Sequence, residues 1–174
     1  LDLIIVRKNP NYLMPGQITL TGEVKSPGIY TIDKEDETVD GIINRAGGLT
    51  TKAFEEGIKL FRNNNQVVLE KNNISIMNGD SLHIPKPPGL VYVKGYVNNS
   101  CQVQFKKGKS LSRYILNAGG FKDNADKKNI IIIYPNGNVK VSNSFFIKPR
   151  IIEGSTIIVN EKLEASDFNI TEFA

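Results

Sequence analysis

Between residues 17 and 32 apolar and polar side chains alternate. Ile18 and Leu20 point one way and Thr19 and Thr21 the other, the period of a half-buried strand. Gly22 interrupts the alternation, as at a bulge or a close backbone approach. Ser26-Pro27-Gly28 predicts a turn and Ile29–Ile32 a returning strand, which together make a hairpin. The period then changes. Val39, Ile42, Ile43 and Ala46 fall at i, i+3, i+4 and i+7, one face of a short helix, with Thr38 placed to cap it and Gly47 to end it. Strands are predicted over Ile58–Arg62 and Gln66–Leu69, joined by Asn63-Asn-Asn65, and a last strand over Ser81–Ile84 follows a glycine turn.

The same succession occurs again. Thr38–Leu69 aligns with Ser110–Val141 at a constant offset of 72, with identities at Ile43/Ile115, Ala46/Ala118, Gly47/Gly119, Gly48/Gly120, Ala53/Ala125, Ile58/Ile130, Asn64/Asn136 and Val67/Val139. Upstream, Ile18–Val24 aligns with Val91–Val97 at an offset of 73, and downstream Gly79–Ile84 aligns with Gly154–Val159 at an offset of 75. In the second copy Ser110 takes the capping position, and Leu111, Tyr114, Ile115 and Ala118 form the apolar helix face before Gly119. Ile130–Tyr134 and Val139–Val141 read as strands around the turn Pro135-Asn-Gly137, and Thr156–Val159 as the last. The run Ile130–Ile133 suits a strand covered on both faces.

Hairpin, helix, hairpin, strand within about 70 residues is the element order of a β-grasp, or ubiquitin-like, fold. The expectation is an α+β chain of two tandem β-grasp domains, at 17–88 and 89–160. The linker Pro85-Lys-Pro-Pro88-Gly89 is stiff and extended, which restricts the angle between the units. Residues 1–16 are read as an N-terminal extension and 161–174 as a C-terminal one. Leu1–Val6 looks like a strand with no partner upstream of it, so the chain is expected to be a piece of a longer protein.

The string Gly22-Glu-Val24, Pro27-Gly28-Ile-Tyr30, Ala46-Gly-Gly48-Leu-Thr50, Ala53 and Gly79-Asp80-Ser-Leu-His-Ile84-Pro85 resembles the SLBB domain, a soluble ligand-binding β-grasp. It is similar in particular to the copies in outer-membrane polysaccharide export proteins of Gram-negative bacteria. The second copy agrees at Gly95-Tyr-Val97, Ala118-Gly-Gly120, Ala125 and Gly154, and departs at Ser100-Cys101 and at Asn160. The resemblance implies a non-enzymatic, periplasmic module of a capsule or exopolysaccharide exporter. Its partners would be a polysaccharide, anionic in some cases, and the other subunits of an envelope complex, homo-oligomeric in the full-length protein. The rival reading is a small-ligand-binding β-grasp module of another envelope assembly.

Composition narrows the chemistry. One His (His83) and one Cys (Cys101) in 174 residues cannot supply a Cys/His zinc site, which takes about four ligands. Any triad would depend on that single His. The Gly-Gly pairs follow a helix and lack a Walker lysine, so they are helix stops rather than phosphate loops. No apolar run approaches the roughly 18 residues that span a bilayer. The pI of about 9.1 hints at nucleic acid, but few aromatics accompany the basic loop for base stacking. No cofactor and no metal are expected.

Charge separates the two halves. Residues 1–88 hold 10 Lys+Arg against 11 Asp+Glu, and residues 89–174 hold 12 against 7. The contrast peaks in equivalent loops before the helices: Asp33, Glu35, Asp36 and Glu37 in the first, Lys106, Lys107 and Lys109 in the second. Anions near a helix N-terminus are favoured by about 0.3–1 kcal/mol and cations there disfavoured. The lysine loop therefore works against its own helix: it is either an ordinary solvated charge run or answers to an acidic partner outside the domain, a neighbouring subunit's acidic loop or an anionic glycan or lipid phosphate. Sugars are gripped by aromatic faces and planar polar groups, which makes Tyr30, Arg45, Tyr92, Tyr96 and Arg113 the candidate ligand contacts. Tyr114, on the apolar helix face, belongs to the core.

Overall fold

A computed structural model describes residues 15–69, 73–143 and 149–162. The first unit contains β1 (Gln17–Gly22), β2 (Gly28–Thr31), α1 (Val39–Arg45), a single 3-10 turn (Glu55–Gly57), β3 (Lys59–Arg62), β4 (Asn65–Val67) and β5 (Ser81–Ile84). The second contains β6 (Leu90–Gly95), β7 (Cys101–Gln104), α2 (Leu111–Asn117), β8 (Ala125–Ile133), β9 (Val139–Asn143) and β10 (Thr156–Glu161). Each forms a five-stranded mixed sheet, ordered β2-β1-β5-β3-β4 and β7-β6-β10-β8-β9. The parallel pair is the first strand against the last in both units, with Leu20 opposite Leu82 and Val93 opposite Ile157. The chain is two tandem α+β domains of identical topology.

Each sheet buries one face under its helix. Ile18, Leu20, Leu60, Leu82 and Ile84 meet Val39, Ile42, Ile43 and Ala46 in one core. Val91, Val93, Ile132, Ile157 and Val159 meet Tyr114, Ile115 and Ala118 in another. No buried residue belongs to both clusters. Burial of each large aliphatic side chain contributes about 1.5–3 kcal/mol, so each core supports its own sheet.

Two glycines fix the parallel pairing. Gly22 (φ +88°) and Gly95 (φ +94°) end the first strand of their units. A Cβ there would lie 1.9 Å from the carbonyl oxygen of Ile84, or 2.1 Å from that of Val159. The next amide uses the same carbonyl: Glu23 N–H donates to Ile84 O (2.8 Å) and Tyr96 N–H to Val159 O (2.8 Å). Only a residue without a side chain lets the strands come this close.

The helices stop where expected, at Gly47 and Gly119, both with positive φ. Thr38 caps α1 by accepting from Gly41 N–H (3.2 Å). Ser110 has the extended backbone of a cap, but its side chain makes no capping bond. Two further expectations need correction. In the run Ile130–Ile133, Ile130 and Ile132 are buried and Ile131 and Ile133 half-exposed, because the helix covers one side of the sheet only. Cys101, which aligns with Gly28 of the predicted turn and so was expected in a turn, opens β7 instead, since the hairpin ladder reaches Cys101 opposite Val93. The predicted strand Leu1–Val6 lies outside the described residues.

Asp80 is the first unit's buried charge, 1 % exposed. Arg62 donates to it twice, from Nε (3.0 Å) and Nη2 (2.9 Å), and Met77 N–H donates once more (2.8 Å). Arg62 also donates to Ser75 O (3.0 Å). The counterparts in the second unit are Ser155, Tyr134 and Arg150. There the Tyr134 hydroxyl donates to Arg150 O (2.9 Å), and the buried Ser155 hydroxyl has no hydrogen-bond partner among the described residues.

Candidate functional site

The two units touch through equivalent hairpins. Asn63 and Asn64 turn with positive φ (50° and 64°), which brings the strand after them back toward the second unit. The Leu69 carbonyl, two residues past that strand, accepts from Asn136 Nδ2 (3.0 Å) and Asn138 Nδ2 (3.3 Å), both in the β8–β9 turn. Gln66 Nε2 donates to Pro135 O (3.4 Å), and Gly137 packs against Gln66 and Val68. Arg150 stands 4.0 Å from Glu56 across the junction. The linker is held as well: Phe54 N–H donates to Pro85 O (2.9 Å), Gly89 N–H to Glu153 Oε2 (3.0 Å), and Lys86 pairs with Glu23 (3.4 Å). The Thr50 hydroxyl, donating to that same carboxylate, holds Glu23 below the usual carboxylate range.

Above this contact lies a cleft of about 540 Å³, within the size range of small-molecule sites. Glu55, Glu56 and Lys140 bring charge to it, Asn136 and Asn138 planar amides, and Ile58, Leu69 and Ile152 an apolar floor. Tyr134 closes one wall, with Lys140 Nζ 5.9 Å from its ring centre. Burial raises the Tyr134 phenol above its ordinary pKa, so it stays a neutral donor.

The five candidate ligand contacts are not gathered in one place. Tyr30 and Arg45 meet in the first unit, the guanidinium 5.7 Å from the ring centre. The Tyr30 hydroxyl donates to Ser26 O (2.6 Å). Arg45, the last residue of α1, donates to Thr31 O and pairs with Asp33 and with Glu37 (3.3 Å). Asp33 N–H also donates to Glu37 (3.1 Å), so the acidic loop is folded around Arg45, while Glu35 and Asp36 are exposed. Tyr92 is half-buried on β6, on the sheet face away from α2. Tyr96 packs on the second core, and the Glu161 carboxylate bonded to its hydroxyl raises its pKa. Arg113 is exposed on α2.

The lysine loop divides. Tyr114 lies in the core, and its hydroxyl accepts from Lys106 N–H (3.1 Å), which holds the loop backbone. Lys109 Nζ sits 4.8 Å from the Tyr114 ring centre, so this cation has an aromatic partner in its own domain. Lys106 and Lys107 are exposed. His83 is a sheet residue whose Nδ1 lies 2.9 Å from the Thr21 hydroxyl. Among the described residues no group of three or more His, Cys, Asp or Glu is arranged to hold a metal, and no helix is long and apolar enough to cross a membrane.

Comparison with known proteins gives a consistent answer. The SLBB domain model matches residues 17–70 and again 90–141. A polysialic acid transport protein, KpsD of Escherichia coli, is 31% identical over 110 residues, 61% of this chain and 19% of that protein. The EPS I polysaccharide export outer membrane protein EpsA of Ralstonia solanacearum is 30% identical over 131 residues, 67% of this chain and 35% of that protein. The chain thus spans between a fifth and about a third of the length of these relatives.

Proposed function

The chain belongs to the SLBB domain family, and we propose that it is a non-enzymatic, periplasmic module of a capsule or exopolysaccharide export protein. In that role it contributes to packing between subunits and touches the exported polymer through the cleft between its two units. One observation carries the reading. The first unit with its linker, residues 17–88, is 72 residues long, whereas the similarity to the two relatives extends over 110 and 131 residues. The similarity to a polysaccharide transport protein and to a polysaccharide export protein thus runs past the length of one unit, which supports the export reading.

The cleft is suited to sugar rings. Carboxylates at Glu55 and Glu56 accept from sugar hydroxyls, and the exposed Val139 with the half-buried Ile152 offers an apolar surface for a ring's C–H face. Lys140 is available to an acidic substituent. The test is made in the source organism with the full-length protein. In-frame removal of residues 17–160 is expected to abolish surface polysaccharide while polymer accumulates inside the cell. Replacing Glu55 and Lys140 together by Ala should reduce export at unchanged protein level. Normal surface polysaccharide in the deletion strain would refute the role, and normal export by the double variant would refute the cleft as the contact.

A further inference from the structure

The two helices and the loops before them share one frame and differ in charge. Where the first unit has Glu35, Glu37, Gly41 and Asn44, the second has Lys107, Lys109, Arg113 and Leu116. The first loop is neutralised within its own unit, since Arg45 pairs with Asp33 and Glu37. In the second unit Asn117 stands at the place of that arginine, and no acid is at hand for the lysines. Residues 90–122, which cover β6, β7 and α2, contain no Asp or Glu against six Lys or Arg. Lys109 is half-buried over the Tyr114 ring. Lys106, Lys107 and Arg113 are exposed and enter no ion pair among the described residues.

An apolar side chain stands among these cations. Leu116 is 64 % exposed and lies three positions after Arg113, beside it on α2. Neither core uses it. A basic surface is complementary to anions of several kinds, and the leucine narrows the choice. A soluble acidic glycan answers the cations and leaves Leu116 in water. A layer of anionic lipid headgroups answers both, with phosphates for the cations and hydrocarbon beneath them for the leucine.

We propose that Lys106, Lys107, Arg113 and Leu116 form a surface that rests on an anionic phospholipid membrane. The contact lies on the bilayer and does not cross it, as suits a helix of seven residues. Each cation close to such a surface raises the partition coefficient about fivefold, so the three exposed ones together supply about a hundredfold. The surface shares no residue with the cleft, so glycan contact there can fail without it, and the reverse.

The test uses the purified 174-residue chain and vesicles of equal parts phosphatidylglycerol and phosphatidylcholine, with pure phosphatidylcholine as the control. Co-sedimentation is expected with the first and not with the second. It should weaken as salt shortens the Debye length below about 8 Å, its value at about 0.15 M. Lys106→Glu and Lys107→Glu together should weaken it by about tenfold or more. The chain contains no Trp, so Leu116→Trp supplies a single fluorescent probe. Its emission should shift to the blue on phosphatidylglycerol vesicles, while that of Asn44→Trp, at the equivalent exposed position of α1, should not. All the substituted side chains are exposed or, at Lys106 and Lys107, in a loop, and far-ultraviolet circular dichroism checks the fold. A chain that stays in the supernatant at millimolar lipid overturns the proposal. So does binding that leaves the Leu116→Trp emission unmoved. Retention of soluble polygalacturonate without retention of vesicles would make an acidic polymer the partner and overturn it as well.

Discussion

Replacing Gly22 by Ala separates two contributions that usually arrive together. Gly22 and Gly48 have the same φ of +88°, but a Cβ on Gly48 meets nothing within 4 Å, whereas on Gly22 it falls 1.9 Å from the Ile84 carbonyl oxygen and 2.8 Å from its carbon. Gly48→Ala therefore bears only the left-handed backbone, about 1–2 kcal/mol. Gly22→Ala bears that and a clash with backbone, which cannot rotate away as a side chain does. Relief requires β1 to move off β5. That loses the Glu23 to Ile84 hydrogen bond, about 1 kcal/mol, and adds strain comparable to overpacking, about 1–3 kcal/mol. The total is about 3–6 kcal/mol, a large share of the 5–15 kcal/mol typical of a folded domain. Urea unfolding followed by far-ultraviolet circular dichroism, with amide resonances to tell the units apart, measures both variants. Gly22→Ala should lower the first unit's midpoint far more than Gly48→Ala, and Gly95→Ala should do the same to the second unit. If the two first-unit variants agree within about 0.5 kcal/mol, the close approach is not what requires glycine, and the reasoning fails.

Asp80→Ala should destabilise the first unit by about 3 kcal/mol, because it strands the partly buried Arg62 and the Met77 amide; the same denaturation assay measures it, with Ser155→Ala, whose hydroxyl has no partner among the described residues, expected near zero or stabilising. The raised pKa of Tyr96 carries a definite sign: the neutral phenol bonded to Glu161 is the favoured form, so its stabilising effect is complete below the ordinary tyrosine pKa near 10 and is lost as pH rises through the higher folded-state value. Glu161→Gln should bring the Tyr96 titration down, as followed by carbon chemical shifts of labelled tyrosine, and an unchanged titration would remove Glu161 as the cause.

Much of the fold was legible because burial leaves a period. The alternation at Ile18–Thr21 and the spacing of Val39, Ile42, Ile43 and Ala46 report which side chains face a core, and the structure buries those apolar residues. Four consecutive isoleucines carry no such record, since a strand covered on one side and a strand covered on both are written alike. Asp80 looks in sequence like a surface carboxylate beside a turn. Its burial depends on Arg62, 18 residues earlier, and no local pattern announces that pairing. Arg45 was read as a candidate ligand contact, but its engagement with Thr31, Asp33 and Glu37 follows from where β2 comes to lie. The cleft escaped notice for a related reason. Asn63–Asn65 and Pro135–Gly137 announce turns, and a turn signal says that the chain reverses without saying what it will then touch.

The positions of Asp80 and Arg62 have a bearing on how the two halves diverged. Between a carboxylate bonded to a guanidinium and a serine beside a tyrosine there is no comfortable halfway house, since losing Arg62 alone strands the buried Asp80 carboxylate and losing Asp80 alone strands a partly buried guanidinium. The carbonyl of Ser75, or of Arg150, keeps a donor in both arrangements, from arginine in one and tyrosine in the other. A change at one member of the pair is therefore costly unless the other changes with it. A genealogy of these repeats that scores alignment columns independently would treat as separate two positions that the fold ties together.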